Sequence, residues 1–438
     1  MDGTIPDKFK SYLKEAVGSV DCATVLEAIA SNEPVISIRL NPSKRIPEHI
    51  DSVVNIAKED DDRVPWCNDG YYLKMRPDFT LDPTLHAGAY YVQDASSMFL
   101  SLLEPLVKDK RSILDLCAAP GGKSTHLISM KLSDAAFTAN EVIKSRFSVL
   151  KENLSKWGDR SVEMLSLDPA EFGDRQFDLI LVDAPCSGEG LFRKNWAAME
   201  EWSEESVQMC AARQRRILSD IWGSLAPGGV LVYSTCTFNR YENEEIALWL
   251  TREYDAEIVP LELSLIEKWS IRKSSMAGYR FLPGVIRGEG QFFVVAKKRE
   301  KGENIGQEAL SDGSVLQRSL QSGISDSDSL IDNLRKKRIG KLSQTDSRNR
   351  YKSNVNCIKE KPETEEALSV DYGCEYPSVE LTKSEALRFL SREAIILKDA
   401  PLGYIRVTYG GLGLGFVKNI GSRANNLYPA GWKIRKRI

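Results

Sequence analysis

Two cysteines sit where a chain could do covalent chemistry: Cys186 in LILVDAPCSGEG and Cys236 in LVYSTCTF. Each follows an apolar run and precedes a break in it, which puts a thiol at the mouth of a strand. A thiolate there can act as a nucleophile, dividing one difficult step into easier ones. Residue types alone leave the choice between the two open, with Pro185-Cys186 reading as the more exposed turn. Two buried structural thiols are the plainer alternative. The remaining cysteines, at 22, 67, 117, 210, 357 and 374, form no CxxC pair, and the chain has only three histidines. No Cys/His metal site is expected, and Cys22, Cys67 and Cys210 read as small buried hydrophobes.

A second constellation is LDLCAAPGGKST, residues 114 to 125. Gly122-Lys123-Ser124 resembles the end of a P-loop, but the first glycine of that motif would fall at Cys117. The dinucleotide pattern G-x-G-x-x-G is also missing, so nucleotide hydrolysis and hydride transfer lose ground. A tight glycine turn remains, at the carboxyl end of a first strand, where open α/β sheets bind ligands. Gly121 and Gly122 let the backbone approach that ligand closely. Further strand ends carry Asn140-Glu141, Asp168 and Asp183. Glu141 suits ribose hydroxyls, and Asp168 an adenine amine. Helix capping explains any one of these acids equally well. It does not explain an acid on successive strand ends, whereas a nucleoside-containing cofactor does.

The elements that must hold these residues alternate. SILDLC, AAFTANE, VEMLSL, FDLILVDAPC and GGVLVYSTC read as strands, with helical stretches such as IKSRFSVLKENLSKWG and EESVQMCAARQRRILSDIWGSL between them. That order predicts a parallel, doubly wound sheet with helices on both faces. QFFVVAKKR reads as a late strand added at the edge. Before this core, Pro6 opens a helix with Phe9, Tyr12, Leu13, Ala16 and Val17 on one face. VPWCNDGYYLKMRPDF, rich in aromatics and arginine, suits either base stacking or core packing. Residues 301–368 lack apolar periodicity and read as a flexible linker. Beyond it, Thr382 and Glu385 form a capping box, and YIRVTY and GLGLGF are strands about a glycine turn. The expected domains are thus 1–90, 91–300, the linker 301–368 and a small α+β or β-barrel-like unit at 369–438.

The net charge of −3, with 42% hydrophobic and 28% charged residues, argues against a generally cationic nucleic-acid binder. Its distribution says more than its sum: from 400 to 438 there are seven Lys/Arg and no acid, and LRKKRIGK occupies 334–341. Such clusters suit phosphate contacts, although a solvated tail has the same composition. The N-terminus lacks a signal-peptide layout and no apolar run reaches membrane-spanning length, so a cytoplasmic location and no membrane partner are expected.

CAAPGGK, DAPCSG and STCT, in that order on the strand ends, resemble the Nop/Sun family of RNA cytosine-5 methyltransferases. The resemblance extends over SIRLNPSK, YYLKMRPDFTLDPTLHAGAYYVQDASSMFL, the 111–297 region and the tail LGFVKNIGSRANNLYPAGWKIR. It implies an α/β fold: a doubly wound, Rossmann-like class I methyltransferase core. An N-terminal α+β region and a small PUA-like RNA-binding domain would flank it. It implies S-adenosylmethionine as cofactor, its methionine moiety held by Cys117, Ala118, Ala119, Pro120, Gly121, Gly122 and Lys123. Glu141 would hold the ribose, Asp168 the adenine side and Asp183 the methionine end or the base. The implied partner is RNA, 16S rRNA or the small ribosomal subunit, bound by a monomer. One departure is Gly284, in FLPGVIRGEGQFF, where many relatives carry His.

The family's reaction gives both cysteines work. Carbon 5 of cytosine is a poor nucleophile until a thiolate adds to carbon 6; afterwards the carbon 5 proton must leave and the thiolate be expelled. The resemblance implies Cys236 as nucleophile and Cys186 as the group assisting release. The attacking thiol needs a lowered pKa, which Lys123, a sulfonium or helix N-termini would supply. Asp183 beside the base edge would accept the cytosine amine. Competing readings are a DNA cytosine-5 methyltransferase and a non-catalytic RNA-binding assembly factor.

Overall fold

The computed structural model describes residues 5–31, 33–300, 361–373 and 375–436. Residues 301–360 of the expected linker, with the basic run at 334–341, lie outside them. Among the described residues, no helix is long and apolar enough to cross a membrane.

The first helix, Asp7–Ser31, bends at Gly18 and buries Phe9 and Leu13 on the face their spacing defines. Phe9 packs edge-on against Phe192 and Trp202, with ring centroids 5.1 and 5.9 Å away. The helix therefore lies over segments that follow both cysteines, and Phe238 joins the same cluster. Strands β1 (Ser37–Leu40), β2 (Gly70–Tyr72) and β3 (Tyr90–Val92) form an antiparallel sheet in the order β2-β1-β3. β3 continues this sheet past the expected boundary at 90. Trp66, Tyr71, Tyr72 and Phe79 are all buried. Trp66 donates its indole N–H to the Ala95 carbonyl at 2.8 Å, and Arg63 lies over the Tyr71 ring. The aromatic segment is thus core, and its rings are unavailable for stacking on bases.

The central sheet contains β4 (Ser112–Asp115), β5 (Ala136–Asn140), β6 (Val162–Leu165), β7 (Phe177–Asp183), β8 (Leu225–Thr235), β9 (Ala256–Ile258), β10 (Arg272–Lys273), β11 (Tyr279–Phe281) and β12 (Gln291–Lys298). Their order is β10-β11-β12-β8-β7-β4-β5-β6, with β9 also on β12. β6, β5, β4, β7 and β8 run parallel, and β12 returns antiparallel to β8. The strand order reverses at β4/β7, which sets a ligand crevice at their carboxyl ends. β12 is not an edge strand: β11 and β9 flank its outer side, and residues 291–296 are buried on both faces. A continuous apolar run, unlike an alternating one, marks an interior strand.

Helix Thr364–Leu368, which the expected linker includes, is ordered and buries Ala367 and Leu368. It is tied down where Arg406 donates to the Ala367 carbonyl at 3.0 Å. After it, β13 (Ser378–Glu380), β14 (Gly403–Tyr409), β15 (Leu412–Asn419) and β16 (Ala424–Asn426) form a four-stranded sheet in sequence order. The Thr382/Glu385 capping box starts helix Lys383–Leu390. The apolar core of this unit includes Ala87 from the N-terminal region, and Tyr409 donates to the Asp51 carbonyl at 3.0 Å.

Gly284 has φ +85°, and a Cβ there would meet the Thr24 side chain and carbonyl at 2.9 Å. The N-terminal helix closes the space a histidine needs. Gly284→His should therefore destabilise the protein by about 2–3 kcal/mol through overpacking and left-handed strain, read as a lower thermal midpoint.

Candidate active site

At the β4/β7 reversal, the chain leaves β4 at Asp115 and turns through Cys117–Pro120 into helix Gly122–Met130. Gly121 makes the turn at φ +111°, a conformation that side chains disfavour. The turn is braced on three sides. Ser124 donates to Asp115 at 2.6 Å. Asn140, at the end of β5, donates to the Leu116 and Leu167 carbonyls at 3.1 and 3.0 Å, joining three strand ends. Arg39 of β1, almost wholly buried, donates to Thr125 at 2.6 Å and to the Gly122 carbonyl at 3.2 Å. The N-terminal sheet thereby fixes the helix that follows the loop.

The rim acids differ in what they contact. Glu141 is buried; one oxygen accepts the Ile143 N–H at 2.9 Å, and the other has no hydrogen-bond donor. Arg146 stands 3.3 Å from that second oxygen, an ion-pair distance without hydrogen-bond geometry. A buried carboxylate oxygen without a donor costs on the order of 1–3 kcal/mol, and the hydroxyls of a ribose would satisfy it. Asp115, wholly buried, is pushed up to about 7 by burial. Asp168 behaves otherwise: it caps the turn Pro169–Phe172 and pairs with Arg216 at 3.2 Å. That pairing, opposed by burial, holds its carboxyl below the usual range. Capping and the ion pair account for its present geometry. The set of residues fits a nucleoside-bearing cofactor: a backbone cradle at 117–123, a buried acid with a spare oxygen, and a further acid at the next strand end.

Asp183 connects the cradle to the cysteines. It accepts Lys123 at 2.9 Å and the Ser234 hydroxyl at 2.7 Å, because β7 and β8 place Asp183 opposite Ser234. Burial alone would lower the Lys123 pKa; the charge of Asp183 and its hydrogen bond reverse this and raise it. A lasting ammonium therefore lies within electrostatic reach of Cys236. The two cysteines converge, with Sγ atoms 3.4 Å apart. Its hydrogen bond to Cys236, then burial, then the charges of Cys236 and Glu242 push the Cys186 thiol well above its ordinary value. Cys117 is also pushed up, by burial and then by Asp115 and Asp183, so it stays a thiol beside the cradle.

Two buried acids that sequence reasoning missed hold the cysteine loops in place. Glu242 accepts Ser187 N–H at 3.0 Å, Ser187 hydroxyl at 2.5 Å, Asn239 at 2.7 Å and Gln214 at 2.9 Å. Glu189 accepts Phe238 and Asn239 N–H groups at 2.8 and 2.9 Å, and the Trp202 indole at 2.9 Å. The Gly190 N–H donates to the Cys236 carbonyl at 2.8 Å. Each loop thus supplies an acid that binds the other's backbone or side chains. A carboxylate in each polar stretch, CSGEG and NRYENEE, was the only available signal. Glu242→Gln replaces an acceptor of four donors by a group that is half donor. It should cost about 2–3 kcal/mol of stability, read as a lower midpoint of thermal unfolding.

Residues 100–297 match the family described as 16S rRNA methyltransferase RsmB/F. Residues 5–95 match the N-terminal domain of 16S rRNA methyltransferase RsmF, and 376–434 the methyltransferase RsmF PUA domain. Ribosomal RNA small subunit methyltransferase F of Escherichia fergusonii is 31% identical over 411 residues, spanning 84% of this chain and 83% of that protein. The protein of the same name from Shewanella loihica is 30% identical over 439 residues, spanning 90% and 88%. Among solved structures, a methyltransferase homolog protein from Pyrococcus horikoshii is 27% identical with a TM-score of 0.53, over 67% of this chain and 95% of that one. NSun6 from the same organism, 19% identical over 68% of this chain and 99% of that one, shares the fold with a TM-score of 0.52.

Proposed function

As the chain belongs to the RsmB/F family of 16S rRNA methyltransferases, we propose that it methylates carbon 5 of a cytosine in small-subunit rRNA, with S-adenosylmethionine as donor. The observation that carries the cytosine-5 chemistry is the pair of thiols 3.4 Å apart beside Asp183 on the carboxyl rim of the sheet. Methylation at an already nucleophilic atom needs no such pair.

When bound, S-adenosylmethionine supplies a methyl group activated by a positive sulfonium. The 117–123 backbone would hold its methionine end, Glu141 the ribose and Asp168 the adenine edge, after exchanging its exposed pairing with Arg216. Asp183 keeps lone pairs beyond those used by Lys123 and Ser234, and would accept the cytosine exocyclic amine. The Cys236 thiolate, near the Lys123 ammonium, adds to carbon 6 and raises the electron density on carbon 5. After methylation the carbon 5 proton passes to water, its bonding electrons re-form the carbon 5–carbon 6 double bond, and the carbon 6–sulfur bond breaks to return the Cys236 thiolate. Cys186, kept as a thiol, hydrogen-bonds the departing Cys236 sulfur. The base must reach this rim outside the RNA stack, flipped out or already single-stranded.

Labelled methyl transfer to unmodified 16S rRNA, to the assembled small subunit and to DNA tests the reading, with bisulfite sequencing to place the mark. 5-Methylcytosine in rRNA or the subunit is the expected product. Preferred methylation of DNA overturns the substrate, and methylation at another atom overturns the chemistry.

A further inference from the structure

Helix Glu244–Glu253 follows the Cys236 loop and presents Glu245, Trp249 and Arg252 along one face, at positions i, i+4 and i+7. This face, Arg215 of helix Glu204–Trp222, Arg240 and Met276 enclose a groove of about 330 Å³. Three guanidinium groups line it against one lining carboxylate, Glu245. Arg240 is partly neutralised by Glu15 at 2.7 Å. Arg215, Arg252 and Glu245 have no ion pair among the described residues. The Nε atoms of Arg215 and Arg240 are buried donors without an acceptor, and such donors are uncommon unless a ligand or solvent satisfies them.

Two of the groove's arginines are next in the chain to residues that support the cysteines. Arg240 adjoins Asn239, which Glu242 holds in the Cys236 loop. Arg215 adjoins Gln214, whose amide donates to the Pro185 carbonyl at 3.0 Å, next to Cys186. From Glu245 to Arg252 the helix face extends ~10 Å, longer than a single phosphate. Guanidinium forks match phosphate oxygens, and Trp249 offers an aromatic wall.

We propose that this groove binds the phosphodiester backbone of the substrate RNA beside the target nucleotide, so that the strand is gripped where it leaves the catalytic rim. The proposal rests on the reading of RNA as substrate and names a place on the protein that holds it.

The test compares the unaltered full-length protein with Arg215→Ala/Arg252→Ala and with the single exposed-site variant Arg252→Glu. Each is titrated with unmodified 16S rRNA transcript across a range of salt concentrations, alongside calorimetry with S-adenosylmethionine and a thermal melt. The double variant should bind RNA roughly tenfold more weakly and lose about 1 unit of salt slope per arginine removed, with donor affinity unchanged. Arg252→Glu should weaken binding in the same sense, and it keeps the test valid if the double variant misfolds. Arg215→Lys/Arg252→Lys should restore the slope. Unchanged RNA affinity and slope in folded variants overturns the groove while leaving rRNA methylation standing. Unchanged binding of naked RNA with lost binding of the assembled subunit also overturns it, because the groove then faces protein. Failure of the unaltered protein to methylate any RNA overturns the functional reading itself, and the groove's proposed ligand with it.

Discussion

Cys236→Ala is expected to abolish methyl transfer, by about 10⁴-fold or more, since in the proposed mechanism it removes the covalent nucleophile, whose addition all later steps depend on. S-adenosylmethionine affinity should hold, because the proposed cradle at 117–123 and Glu141 does not include the sulfur. The neighbouring thiol cannot take over. Cys186 lies only 3.4 Å away, but its hydrogen bond to Cys236 and its burial push its pKa well up. Alanine at 236 removes the hydrogen bond and leaves the burial and the Glu242 charge. Lys123, the ammonium within reach of Cys236, is also tied to Asp183. Single-turnover transfer of a labelled methyl group is the measurement. Activity within tenfold of the unaltered protein means that Cys236 is not the nucleophile.

Much of the fold was legible because burial and strand period coincide in a parallel sheet. SILDLC, AAFTANE and FDLILVDAPC became buried strands of the central sheet and VEMLSL its half-exposed edge strand, and the polar residues ending them line one rim. The late strand QFFVVAKKR went to an interior position because β11 and β9 pair beyond it, and neither carries a strong pattern of its own. The aromatic segment at 64–79 read two ways because rings that stack on bases and rings that fill cores have the same composition. Burial of Trp66, Tyr71 and Phe79 decides for the core. The last residues of the expected linker proved to be a docked helix. Five residues are too few for periodicity to show, and its stability comes from the partners it packs on.

The candidate site divides along a similar line. Cys117, Lys123, Asp183, Cys186 and Cys236 were found because they belong to local motifs, and the structure brings Lys123, Asp183 and both cysteines together. Glu189, Glu242 and Arg39 were hidden because their work is non-local. Arg39 reaches Thr125 across 86 positions, and Glu242 reaches Ser187 across 55. In a sequence, a buried acid that satisfies backbone donors looks like any surface acid. Only the fold shows that these two carboxylates lock the cysteine loops against each other, and the N-terminal helix through Phe9 covers the result.

Cys186→Ala should separate attack from release. The variant keeps Cys236, Lys123 and Asp183, so addition to carbon 6 and methylation of carbon 5 proceed. The thiol that hydrogen-bonds the departing sulfur is gone, and expulsion of Cys236 slows. Loss of a positioned proton-handling group costs about 10²–10⁴-fold in the step it serves; here that step comes after covalent capture. Turnover should therefore fall while a protein–RNA adduct accumulates, visible as a complex that survives denaturing electrophoresis and disappears on ribonuclease digestion. The adduct should carry the labelled methyl group, which distinguishes a block in release from a block in transfer. Cys186→Ala/Cys236→Ala should form no adduct, because the bond in question is made by Cys236. An adduct from Cys236→Ala and none from Cys186→Ala would reverse the two assignments: the half-buried turn at Pro185-Cys186 would then carry the nucleophile, and the STCT loop the releasing group.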